Sequence, residues 1–268
     1  MKKTFLLSCL MLAAMPVMAA YTGHVYVDKN KNGVFDQSEK PLAGIKVSDG
    51  LNVVETAADG SFTLPGHERE RFIFITTPSG YKTFNRHYHK IEKKQSGYDF
   101  GLIPYSGRIR KNGSHRYIHI ADTEMFNTEN HADWVNNVRD YARNEQAAFI
   151  IHTGDICYEK GLKAHIKLMN TENMDCPVFY CIGNHDLVKG KYGEELFESI
   201  YGPVYYSFDA GNVHYVVTPM PGGDHAPGYT SDDVCRWLKN DLAHIRPGTP
   251  VVVFNHDLLT YEDAFIFK

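Results

Sequence analysis

The sequence predicts an α/β protein preceded by a small all-β sandwich, and three observations carry that assignment. Up to about residue 105, short apolar runs are separated by Gly, Pro, Asp and Asn, the texture of closely spaced strands and turns. Beyond residue 115, strand-like runs alternate with amphipathic segments of helical period, as in an α/β core. Three of those later runs end in polar clusters about thirty residues apart, the spacing that successive βαβ units produce at one sheet edge.

Residues 1–20 have the form of a targeting segment: Lys2 and Lys3, an apolar run over 5–14, and Val17-Met18-Ala19 as a small-residue cleavage signal. They predict a secreted or periplasmic protein. The apolar run is too short for a stable membrane span. Leu6-Leu7-Ser8-Cys9 faintly resembles a lipoprotein cleavage box, although the apolar run continues past Cys9. At 268 residues the chain is long enough for two domains, and a net charge of −4 leaves no electrostatic footprint for nucleic acid or an anionic membrane. A phosphate-bearing substrate would therefore be attracted locally, by cations. Cys157, Cys176, Cys181 and Cys235 show no C-x-x-C, and spacing alone does not say whether any pair bonds.

In residues 21–105, strands are expected over 24–27, 45–47, 61–64, 71–75 and 100–104, with a hairpin turn at Ala58-Asp59-Gly60-Ser61. The run Asp28-Lys29-Asn30-Lys31-Asn32-Gly33, with Glu39 after five further residues, fits a calcium loop. Asp28, Asn30, Asn32, the Val34 carbonyl, Asp36 and Glu39 would be the ligands, and Gly33 would permit the turn. The alternative is a polar Asx-turn loop with no ion. His87-Tyr88-His89, among Arg86, Lys90 and Lys93, reads as a solvated basic loop rather than a metal site. Residues 106–114 read as a linker.

In residues 115–268, the clusters are Y-I-H-I-A-D-T-E (117–124), F-I-I-H-T-G-D (149–155) and V-F-Y-C-I-G-N-H-D (178–186). Polar side chains at the carboxyl end of a buried strand face a crevice rather than a core. Trp134, Val138 and Tyr141 share one helical face, and Leu162, His165, Ile166 and Met169 another. Ser231 caps a helix with Asp232 and Asp233 in its first turn. Strands follow over 205–208, 213–218 and 251–254. His119, His152 and His214 fall inside strands and read as core histidines. Asp224-His225, in the Gly-rich loop before Ser231, is a weaker rim candidate and is left unassigned.

Asp122, Gly154-Asp155, Gly183-Asn184-His185-Asp186 and His256 match, in order, the motifs of the calcineurin-like metallophosphoesterase superfamily, which residues 114–268 resemble. The run P-L-A-G-I-K-V-S-D-G resembles prealbumin- or Cna-B-like modules, and the amino-terminal domain of a group of secreted bacterial calcineurin-like phosphoesterases. The resemblance implies stacked mixed sheets flanked by helices, and two divalent metals (Mn, Fe or Zn). It implies hydrolysis of a phosphomonoester or diester by a metal-bridging water, on a small-molecule or a glycan- or lipid-linked substrate. By that pattern Asp155 bridges the metals, Asp122 and Glu124 serve the first, and Asn184 and His256 the second. Glu124 stands where the family commonly has His. His185 protonates the leaving oxygen and Asp186 holds its ring. The family's G-H-x-H finds no counterpart after His256, so residues 1–268 taken alone are expected to bind catalytic metal weakly and to be nearly inactive. A non-catalytic secreted module with a structural or binding role is the rival reading.

Overall fold

The computed structural model describes residues 20–95, 97–105, 108–125, 129–188 and 190–257. The leader over 1–19 and two residues of the expected linker (Ser106 and Gly107) lie outside the described residues.

The chain begins with short strands β1 (Tyr21–Val27), β2 (Lys40–Pro41), β3 (Lys46–Ser48), β4 (Val53–Glu55), β5 (Ser61–Leu64), β6 (Phe72–Ile75), β7 (Tyr81–Thr83), β8 (Tyr88–Lys90) and β9 (Phe100–Pro104). One sheet has the order β2-β1-β9-β7, with β5 also paired to β1; the other has the order β4-β3-β6-β8. Val25, Val47, Leu64, Ile73, Ile75 and Leu102 fill the space between them.

Two readings of this region need correction. The 58–61 turn forms, with the Asp59 carboxylate accepting from the Ser61 N–H. It joins β4 of one sheet to β5 of the other, so it is a corner between sheets and not a hairpin. His87-Tyr88-His89 is no solvated loop. Tyr88 and His89 lie in β8, Tyr88 is buried, and the His87 ring packs 4.5 Å from that of Tyr206. A second layer of protein covers this strand, which its local charge does not reveal.

That layer is the α/β half: β10 (Tyr117–Ile120), α1 (His131–Asn144), β11 (Phe149–His152), α2 (Tyr158–Leu168), β12 (Val178–Tyr180), α3 (Glu195–Tyr201), β13 (Tyr206–Ala210), β14 (Val213–Val217), α4 (Ser231–Ala243) and β15 (Val251–Phe254). Strands β10, β11 and β12 run parallel, whereas β13-β14-β15 is mixed. The two sheets stack through aromatic rings, Phe179 on Phe208 at 3.7 Å and Phe149 edge-on to Tyr215 at 5.0 Å. Two helix details differ from expectation. Tyr141 turns to solvent and Ala142 takes the buried place in α1. Thr230 rather than Ser231 caps α4, its hydroxyl accepting from the Asp233 N–H while the Asp233 carboxylate accepts from Thr230.

Both faces of β6 are buried. Ile73 and Ile75 enter the sandwich core, while Phe72 and Phe74 join Phe179, Tyr206, Phe208 and Trp237 in a core shared with the α/β half. Polar ties cross the same boundary: Lys46 to Asp209 at 3.3 Å, Thr76 to Ser207 at 2.8 Å, and Arg71 to Glu194 and Glu198 at 2.8 and 2.9 Å. Severing the halves would expose Phe72, Phe74 and Tyr88, so the sandwich folds as part of a larger whole.

His214 is a core histidine with a specific load. It is 1% exposed and bonds Asp209 at 2.7 Å and Asp241 at 2.8 Å. Burial depresses its pKa, but the two carboxylates outweigh burial and raise it to about 9. The folded pKa exceeds the unfolded value of about 6.5, so the stabilisation is complete below that pH and is lost as pH rises through 9. The expected result is a wild-type melting temperature that falls more steeply than that of His214→Gln between pH 6.5 and 9; parallel curves would contradict it. His119 departs from the core reading. It is exposed on β10 and bonds the Thr153 hydroxyl at 2.9 Å. Cys157, Cys176 and Cys181 are buried free thiols, and Cys235 is exposed.

Candidate metal centre

Strands β10, β11 and β12 point the same way, and β15 runs parallel to β14 in the stacked sheet. The chain leaving four of these strands at their carboxyl ends carries Asp122, Asp155, Asn184 and His256. Apolar side chains hold the strands in the core, and the next residues must leave it. The crevice they enter is where polar groups can act.

Ligand atoms of Asp122, Asp155 and His256 lie within 4.8 Å of one another. Asn184 Oδ1 lies 3.2 Å from His256 Nε2, and Asp155 Oδ2 lies 3.4 Å from the same nitrogen. His256 donates Nδ1–H to the Thr153 carbonyl at 2.8 Å, which turns Nε2 toward the carboxylates. Burial lowers the His256 pKa, but Asp155 more than reverses this and raises it to about 9. Burial likewise raises Asp155, and hydrogen bonds from His256 and the His185 N–H hold it below its ordinary value. Two carboxylates, an imidazole nitrogen and an amide oxygen at these spacings fit a divalent cation.

The backbone is bent to make this possible. Asp122, Glu124, Asp155, Cys157 and Tyr158 have φ of 53°, 40°, 54°, 75° and 49°. Left-handed non-glycine residues each cost on the order of 1–3 kcal/mol and cluster at functional sites. Glycine is required where the loops after β11 and β12 meet. A Cβ on Gly183 would lie 2.2 Å from Asp155 Oδ1, and one on Gly154 would lie 2.4 Å from the Gly183 nitrogen.

The expected site residues are not all brought together. Glu124 is exposed, and its carboxylate lies outside the Asp122–Asp155–His256 group. A left-handed turn commits its N–H to the Asp155 carbonyl at 3.0 Å. Its charge still acts on the site, raising the pKa of His185.

Asp186 does not hold the His185 ring. It is fully buried, with Oδ1 accepting from the Cys157 N–H at 2.9 Å and Oδ2 from the Gly183 N–H at 3.0 Å. Burial raises its pKa to about 6 against those two donors. In the 3₁₀ turn Asn184–Asp186 the two neighbouring side chains diverge, and Asp186 braces the loops after β11 and β12.

The partner of His185 is Asp224, whose Oδ2 lies 2.9 Å from Nδ1. That hydrogen bond leads the causes that raise the His185 pKa. The only sign of this residue in the sequence is an acid in a Gly-rich loop. Its position depends on the sandwich. Arg71, next to β6, pairs with buried Glu194, which accepts from the Gly228 N–H at 2.9 Å. Gly193 donates to the Ala226 carbonyl at 2.8 Å, and Asp224 N to the Asn184 carbonyl at 3.1 Å.

His152, fully buried, accepts from the Gly154 N–H at Nδ1 and lies 3.1 Å from the Thr123 hydroxyl at Nε2, bracing the loops rather than ligating. Asp49, His67 and Glu70 also bring ligand atoms within 4.8 Å. There the His67 ring lies against the Asp49 carbonyl and the Arg69 N–H, and Glu70 accepts from Tyr21 and from the His67 N–H. These groups are satisfied by the protein itself.

Comparison with protein families matches residues 115–264 to the calcineurin-like phosphoesterase domain, and residues 29–104 to the N-terminal region of calcineurin-like phosphoesterases. No curated protein matches the chain.

Proposed function

Because the chain belongs to the calcineurin-like phosphoesterase family, whose members use divalent metals, we propose that it hydrolyses a phosphate ester at the Asp122–Asp155–His256 centre. The observation that carries this reading is the convergence of those three groups from three different strand ends, beside Asn184. Asp122, Asp155, Asn184 and His256 would hold the cations. When bound, divalent cations offset phosphoryl charge and lower the pKa of water.

The protein's own groups then orient and transfer protons. His185, 37% exposed at the rim, is placed to donate a proton to the departing oxygen. Asp224 fixes the ring and favours the protonated form. Asp186 keeps the loops after β11 and β12 in register. The accessible rim suits an ester whose leaving group projects into solvent, a small molecule or a glycan- or lipid-linked phosphate.

Turnover of an aryl phosphate and a bis-aryl phosphodiester tests this. Slow turnover that depends on millimolar Mn²⁺ is expected, because the metal is held weakly; it should be abolished by EDTA and restored by added Mn²⁺. Turnover that persists through EDTA, or none of either ester with Mn²⁺, would overturn the reading.

A further inference from the structure

We propose that the loop from Asp28 to Glu39 is a calcium site, separate from the catalytic centre. It leaves β1 after Val27 and re-enters the sheet at Lys40, and those two residues are paired across the strands. Twelve residues are thereby closed into a ring with a carboxylate at each end of it. Both end carboxylates are buried, Asp28 at 1% and Glu39 at 7% exposure.

Their partners are backbone groups alone. Asp28 accepts from the Asn32 and Gly33 N–H groups, and Glu39 from those of Lys29 and Asp36. Among the described residues no Lys, Arg or His pairs with Asp28, Asp36 or Glu39. Buried charges are normally paired or bound to a metal, and three like charges gathered without a cation repel one another.

A second observation comes from outside the loop. Tyr26 is fully buried, and its hydroxyl has no hydrogen-bond partner among the described residues. Its ring stacks on Phe35 of the loop at 4.8 Å. The hydroxyl lies beside Asp28: a Cβ on Gly101 would meet Asp28 Oδ2 at 3.0 Å and the Tyr26 oxygen at 3.2 Å. Burial first, then the charges of Asp28, Glu39, Asp99 and Asp36, raise the Tyr26 pKa. An orphaned phenol facing the loop's inner carboxylates marks an arrangement that a central cation would complete.

The remaining ligand positions face the same way. The amide nitrogens of Asn30 and Asn32 both lie within 3.0 Å of Asp36 Oδ2. Rotating either amide presents an oxygen instead. Gly33, at φ 72°, makes the sharp turn. The carboxylates of Asp28, Asp36 and Glu39 are spread wider than the groups that converge within 4.8 Å, so binding would draw Asp36 and the two amides inward. Oxygen ligands of adjustable reach favour calcium over magnesium, with Kd on the order of 10⁻⁴–10⁻³ M.

The test is calorimetric titration of the full chain with Ca²⁺, in wild type, Glu39→Gln, Asn32→Ala and Asp155→Asn. One saturable equivalent is expected in wild type, unchanged in Asp155→Asn. Binding should weaken on the order of 100-fold in Glu39→Gln and on the order of 10-fold in Asn32→Ala. Asn32 is exposed, so its variant decides the matter if Glu39→Gln does not fold. No saturable binding to wild type, wild-type affinity in Asn32→Ala, or loss of the equivalent in Asp155→Asn would overturn the proposal.

Discussion

Asp155→Asn is expected to lower phosphoesterase turnover by roughly 10³-fold or more, beyond the 10–100-fold that partners behind a metal ligand typically cost. Asp155 sits where the loops after β11, β12 and β15 meet. One oxygen accepts from the His185 N–H at 3.0 Å, and the other faces His256 Nε2 at 3.4 Å. Asparagine preserves size and one acceptor but removes the charge that a cation needs. It also puts an amide nitrogen in the place of Oδ2, with its N–H groups directed at His256 and the cation position. Folding should survive, because asparagine keeps the size of the side chain and the acceptor for the His185 N–H, at the cost of the pairing with His256. The signature is therefore lost turnover and weakened Mn²⁺ affinity in a folded protein whose melting temperature is modestly lower. Wild-type turnover in this variant would reject Asp155 as a ligand.

His185→Asn is expected to cost roughly 10²–10⁴-fold on esters with poor leaving groups, the usual contribution of a general acid. Aryl phosphates, whose phenolate departs with little help, should lose much less. Asp224→Asn should show a smaller loss, about 10-fold, with the same dependence on leaving group. Asp224 raises the His185 pKa, so removing its charge should move the alkaline limb of the rate profile to lower pH. Equal losses on alkyl and aryl esters would show that His185 acts otherwise than as proton donor.

The carboxyl ends of β10, β11, β12 and β15 were legible because each signal is local. An apolar run that stops at a Gly or an Asp marks where a buried strand leaves the sheet. Asp122, Asp155, Asn184 and His256, each just past one of those ends, come close together in the structure. Asp186 was misread because adjacency along the chain was taken for adjacency in space. Within one 3₁₀ turn its carboxylate turns to the N–H groups of Gly183 and Cys157, away from the His185 ring.

Asp224 was not legible as a partner because a chain of tertiary bonds, through Arg71, Glu194 and Gly228, carries its loop to the site. Nor does any local pattern announce positive φ at Asp122, Asp155 and Cys157, a backbone state that few non-glycine residues adopt. The apolar run of β6 reads as a strand of the sandwich. That Phe72 and Phe74 bury against the α/β half, making the sandwich part of the site's support, depends on contacts far apart in sequence.

The account rests on cations held by Asp122, Asp155, Asn184 and His256. Anomalous diffraction from crystals of the chain soaked in millimolar Mn²⁺, collected at the manganese edge, tests that most directly. The account predicts a peak among the Asp122, Asp155 and His256 ligand atoms that is absent from Asp155→Asn crystals. A peak elsewhere only, or one unchanged in the variant, would contradict it.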